Sequence, residues 1–293
     1  TVHSVWTSRF TIKIRRTDNY GGWNDVVVIM WRAAAPAGYR CSVRGALMHQ
    51  YDMRPGFSLR VVIIAPEVNV EGDSMQIFRN VTFETDPRLK VYDPVAKGLV
   101  PAKAIIRGGV TQNGLFDIVD TNVLFRNVQL RDGNGGLGGA FSQKGGSVNV
   151  LNTILAGNNA RAGGAIHLDY GKLHLENVVM ENNSASVLIW DGEAQGGAIF
   201  VGEKGIVTLL KSSLSNNAAS ATTAHSAGGA IFSNGRVDAT EVTFYKNKAT
   251  GKPLIDDDSV SNGIGGAIAI VGSAAVLKSK RCHFFGNMAS TGG

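Results

Sequence analysis

Five times the chain writes Gly-Gly-Ala followed by an apolar residue, at Gly138-Gly139-Ala140-Phe141, Gly163-Gly164-Ala165-Ile166, Gly196-Gly197-Ala198-Ile199, Gly228-Gly229-Ala230-Ile231 and Gly265-Gly266-Ala267-Ile268, and a sixth copy opens at Gly292-Gly293. The copies start 25 to 37 residues apart. Self-similarity at such a period marks a repeat array, in which each unit buries its apolar face against its neighbours.

Within the copy at Gly163, apolar residues fall at Ile166 and Leu168, at Leu173 and Leu175, and at Val178 and Met180, after which Asn183 follows. Alternation by two over short runs predicts three half-buried strands separated by three corners, and no segment carries the longer three-and-four spacing of a helix. The copy at Gly138 keeps the same order, with Gln143 and Thr153 interrupting the apolar set. The expected fold is therefore all-β, a right-handed parallel β-helix of three sheets. Paired glycines suit a corner that needs positive φ and close approach of the next coil. Asn158, Asn183, Asn217, Asn247 and Asn287 recur at the opposite end of the repeat, where an amide can bond the Asn one coil above and build a structural ladder.

The pairing of GGAI with Phe-x-x-Asn resembles the repeat signature of the polymorphic outer membrane protein family. Phe244-Tyr245-Lys246-Asn247 and Phe284-Phe285-Gly286-Asn287 carry it, while Leu155, Met180 and Leu214 replace the Phe in three other copies. The resemblance covers roughly residues 121–293. It implies an exported, adhesive or structural protein whose body is a β-helix.

Charge divides the chain. Residues 1–60 hold nine basic side chains against three acidic ones, which accounts for the whole net charge of +6, and the remaining 20 basic and 20 acidic residues cancel. Three of the four tryptophans lie in the same segment. Residues 1–60 are therefore expected to form a basic β-rich unit, with the β-helix over 61–293. That unit reads either as a cap on the open end of the solenoid or as a docking surface for an acidic partner, with Arg9, Arg15, Arg16, Trp23 and Arg32 in contact. No recognition motif for nucleic acid accompanies the charge. No apolar run reaches 18 residues, so no span is expected in this chain, and Val26 to Trp31 reads as a buried strand. The prolines at 87, 94 and 101 make 86–102 a loop.

The distance from each Gly-Gly to the Phe-like position is nearly constant, whereas the stretch from each Asn to the next Gly-Gly holds 4, 12, 10, 17 and 4 residues. Insertions stacked on one edge build a lateral surface, so 184–195, 218–227 and 248–264 are the expected interaction loops, with Leu188, Ile189 and Trp190 as binding candidates. Asn80 and Asn182 open sequons and are glycosylation candidates. Cys41 and Cys282 fall at opposite ends of the rod, too far apart for a disulfide.

Catalytic signals are sparse. Lys144, Asp169 and Glu203 align at one corner of three successive coils, a spacing that would suit paired carboxylates, although solvated turn residues explain them as well. His167 is expected outward, on the surface, in a row with Ser142, Phe200, Phe232 and Ala269. Asp256-Asp257-Asp258 has no spacing that specifies a cation site, and no cofactor or metal motif is present. The expectation is a non-enzymatic extracellular or cell-surface protein, acting in adhesion or as a subunit of a surface filament. Its partners would be a protein or glycan at the cell surface, or further copies of itself. The alternative is a carbohydrate-active β-helix enzyme, and a third reading is an ice- or glycan-binding solenoid. The chain's stop at an opening Gly-Gly pair leads to the further expectation that it continues into, or docks to form, a longer rod.

Overall fold

A computed structural model describes residues 58–70, 73–108, 114–187, 192–222, 225–251 and 263–290, with the course of the strand Asp25–Met30 and the positions Val43 and Leu47. These residues are all-β with almost no helix, and every strand pairing among them but one is parallel. Strands one repeat apart lie side by side, which is the arrangement expected of a β solenoid.

The first sheet runs from Asp25–Met30 through Ser58–Ile63, Asn80–Thr85, Asn122–Arg126, Phe141–Leu151, Ile166–Glu176 and Ile199–Leu210 to the pair Ile231–Ser233 and Arg236–Thr240, and ends on Ile268–Ile270 and Val276–Lys280. A second sheet runs from Glu67–Val70 through Ala104–Gly108, Val128–Arg131, Ile154–Ala156, Val179–Glu181, Ser213–Ser215 and Thr243–Tyr245 to His283–Phe285. Register turns the alternation into columns: Phe141, Ile166, Ile199, Ile231 and Ile268 are successive partners, as are Leu130, Leu155, Met180, Leu214, Phe244 and Phe284. All but the last coil's members are fully buried, and Ile268 is half-buried, while Phe284 is exposed because no described coil lies beyond it. At the other end the core is aromatic, with Phe83 stacked on Phe125 at 5.1 Å and Phe125 on Phe141 of the neighbouring column at 5.6 Å.

Three expectations change. The first two strands of a repeat are one continuous strand in three coils, as in Ile166–Glu176, with a register irregularity at Leu168 and Tyr170 in place of the expected corner. The third strand lies beyond the ladder Asn, in the segments read as loops: Ser184–Val187, Ala218–Ala221 and Lys248–Gly251 form a third sheet with Asn159–Ala160 and Met288–Ala289. Residues 86–102 are not a plain loop, because Lys90–Asp93 and Gly98–Pro101 pair antiparallel as a hairpin. Within the basic segment, Asp25–Met30 pairs parallel and in register with Ser58–Ile63.

The glycine corners behave as their chemistry requires. The leading glycines Gly138, Gly163, Gly196, Gly228 and Gly265 sit at φ between 60° and 67°. The second of each pair is needed for approach: a Cβ on Gly164 would collide with the carbonyl oxygen of Gly197, and one on Gly197 with that of Gly229.

Candidate interaction surface

The asparagine column fixes the edge from which the insertions leave. Asn183 Nδ2 donates to Leu155 O at 3.0 Å and to Asn217 Oδ1 at 3.0 Å, while Asn183 Oδ1 accepts from the backbone N of Asn158 at 3.1 Å and from its Nδ2 at 3.0 Å. Asn217 and Asn247 repeat the pattern down to Asn287. Each amide thus serves as donor to the coil before and after it, and a buried polar side chain is satisfied without water. The residue before each ladder Asn takes the left-handed conformation, at Gly157, Asn182, Asn216, Lys246 and Gly286. A second left-handed corner precedes the last six strands of the second sheet, at Asn127, Asn152, Asn177, Lys211, Glu241 and Arg281. The Asn-rich positions 127, 152 and 177 were the available sequence signal for it.

Beyond the ladder, the described parts of the insertions form strands of two short sheets. The third sheet turns Ala185, Val187, Ala219 and Ala221 inward onto Ala194, a small apolar cluster separate from the main core. Ala194–Gln195, Ser226–Ala227 and Gly263–Ile264 form a short parallel sheet of their own. Ala227 continues the contact to Phe232 and Ala269 on the outer side of the first sheet, with Phe200 packed against them. The described strands of three successive insertions thereby form a ledge along the stack. The residues Leu188, Ile189 and Trp190 lie outside the described residues, as do Arg9, Arg15, Arg16, Trp23, Arg32, Cys41 and Asp256 to Asp258.

The outward row Ser142, His167, Phe200, Phe232 and Ala269 is in register as expected, but it is not a free surface. His167 is only 7% exposed and its ring stacks on Phe200 at 4.6 Å, with Phe200 on Phe232 at 5.5 Å. The expectation of a surface histidine is therefore corrected: the ring is buried in a column stacked with Phe200 and Phe232. Burial holds the His167 pKa down at about 4, against a pull upward from Asp169 and a further push downward from Lys144. Its Nδ1 has no hydrogen-bond partner among the described residues.

The Lys144, Asp169 and Glu203 corner is also rearranged. Register sets Lys144 beside Tyr170 and Tyr170 beside Lys204, and Asp169 drops into the irregularity between Leu168 and Tyr170. Asp169 and Glu203 are both exposed, so the row is cation, aromatic ring, cation in place of a carboxylate pair. Among the described residues no group of three or more His, Cys, Asp or Glu side chains is placed to hold a metal ion, and no described helix is long and apolar enough to cross a membrane.

The two sequons differ. Asn182 is exposed at its corner with φ 55° beside the buried Asn183. Asn80 is engaged, its Oδ1 accepting from Thr121 Oγ1 at 3.2 Å and from the backbone N of Asn122 at 3.1 Å. Cys282 is half-buried against the main core with its Sγ toward Ala239 O at 3.5 Å. Comparison with protein-family models, with curated proteins and with solved structures gave no match.

Proposed function

We propose that the chain is a right-handed parallel β-helix of an exported cell-surface protein, and that the ledge built by its insertions is the surface through which it adheres or self-associates. The observation that carries this reading is the ledge itself: the described strands of three successive insertions stack in register beyond the ladder, and two of the insertions share an apolar cluster of their own. The right hand follows from the general chirality of parallel crossovers. The GGAI and Phe-x-x-Asn repeats, similar to those of the polymorphic outer membrane proteins, support the same role. Work of this kind is binding and not catalysis, and the exposed, unaligned carboxylates Asp169 and Glu203 fit that assignment.

The test replaces Leu188, Ile189 and Trp190 together with serine, leaving the strands Ser184–Val187 and Ala194–Gln195 in place. Adhesion of chain-coated beads to cells and self-association by sedimentation are then measured beside the melting temperature. Loss of either association at an unchanged melting temperature supports the reading. A parent chain that neither adheres nor self-associates, or a variant that does so as well as the parent, overturns it.

A further inference from the structure

The hairpin Lys90–Pro101 leaves the stack as a two-stranded arm. Two strands alone bury little, and such an arm is stable only where its base is held. Here the base is clamped: Leu89 packs on the main core, Asp86 N donates to Ile63 O at 2.8 Å, Ala102 N donates to Leu89 O at 3.1 Å, and Ala104 N donates to Thr85 Oγ1 at 2.8 Å. The arm's own surface is unusual. Cross-strand partners Tyr92 and Leu99 are 65% and 67% exposed on one face, and Val95 at the tip is 91% exposed beside Pro94. Large apolar side chains gathered on a projection are the feature that needs an explanation, since scattered ones would not.

Charge and backbone satisfaction say what fits. Arg88 is paired with Asp86 at 2.6 Å, so the charge of the arm comes from Lys90 and Lys97 against Asp93. Lys90 and Lys97 are exposed beside the apolar side chains. Asp93 Oδ1 accepts from the backbone N of Val95 at 2.7 Å and of Ala96 at 3.1 Å, which leaves the tip with these amides already bonded. A tip that enters an apolar medium must satisfy its amides internally, and lysines flanking an apolar tip reach back to anionic headgroups. We infer that this hairpin is a shallow anchor for an anionic lipid surface, with Tyr92, Val95 and Leu99 at the headgroup boundary and Lys90 and Lys97 on the lipid phosphates. The inference stands on the arm alone and does not depend on the role of the insertion ledge, which the variants below leave untouched.

The experiment uses the whole chain with phosphatidylcholine vesicles, with and without phosphatidylglycerol, in low salt. The parent is expected to sediment with the anionic vesicles only. The triple variant Tyr92→Ser, Val95→Ser, Leu99→Ser weakens that binding by roughly tenfold or more through lost apolar contact, and Lys90→Glu with Lys97→Glu weakens it through charge. In Val95→Trp, the emission difference from the parent shifts to the blue on anionic vesicles and is quenched by brominated acyl chains. All variants are exposed at the substituted positions and should melt with the parent. A folded parent that stays in solution, a triple variant that binds as the parent does, or a Val95→Trp variant whose added emission is blind to vesicles overturns the inference. A hairpin that proves to dock only a protein partner overturns it as well.

Discussion

Replacing Asn183 with Ala is expected to be among the costliest polar substitutions in the chain. The side chain takes part in four hydrogen bonds: two accepted from Asn158, one donated to Leu155 O and one donated to Asn217 Oδ1. Asn217 Oδ1 keeps the backbone N of Asn183 at 3.1 Å, but the backbone N of Asn158 loses its partner inside the core. At about 1 kcal/mol net per hydrogen bond, with extra cost for an orphaned buried donor, the loss is about 4 kcal/mol. Asn287 at the far end accepts two bonds from Asn247 and donates one to Phe244 O, in a part-buried site, so Asn287→Ala should cost about half as much. Urea unfolding followed by far-ultraviolet circular dichroism measures both, because disruption of one coil propagates only to its neighbours. The variant Asn183→Asp sharpens the reasoning: one oxygen still accepts from Asn158, but the other faces Leu155 O and Asn217 Oδ1, both acceptors. Its carboxyl is then raised in the folded state, so stability is present below the ordinary carboxyl pKa and is lost as pH rises through the raised value. Equal losses at positions 183 and 287, or an aspartate variant more stable at neutral than at acid pH, would refute the ladder as the source of the energy.

His167 titrates at about 4 in the fold against its ordinary 6.5, so the unfolded chain takes up its proton first as pH falls. The sign is a loss of stability from pH 6.5 downward, amounting to about 3 kcal/mol by the folded pKa. His167→Phe should remove that part of the slope while keeping the stack on Phe200, and an identical pH profile in the variant would contradict it. At the left-handed corner Lys211 has φ 49° with an exposed side chain; Lys211→Gly is expected to stabilise by about 1 kcal/mol in the same urea assay, and a destabilised variant would show that the strain is not there.

The repeat, its glycine corner and its asparagine ladder were legible in the chain alone. Gly-Gly demanded positive φ and close backbone approach, and the glycines at 163 and 164 are used for one each. Asn158 to Asn287 recurred at one corner, and their amides join in a single chain of hydrogen bonds. Such features are local: a single residue type is the simplest answer to one backbone problem, so it recurs whenever the problem does. The third sheet was hidden because its inward residues are, apart from Val187, small: Ala185, Ala219, Ala221 and Ala249. Small side chains facing a narrow gap give little hydropathy contrast, and period two fades from the sequence although the strands form. His167 shows the same limit from the other side. Its outward direction followed from alternation, but its burial goes with an aromatic stack on Phe200 that alternation does not reveal. Lys144 and Asp169 were separated by one irregularity in register between Leu168 and Tyr170, and one residue of slip moves a side chain to another row. Periodicity therefore determined which residues stack on which coil, while the space left between the stacked coils and their own insertions decided which of them meet solvent.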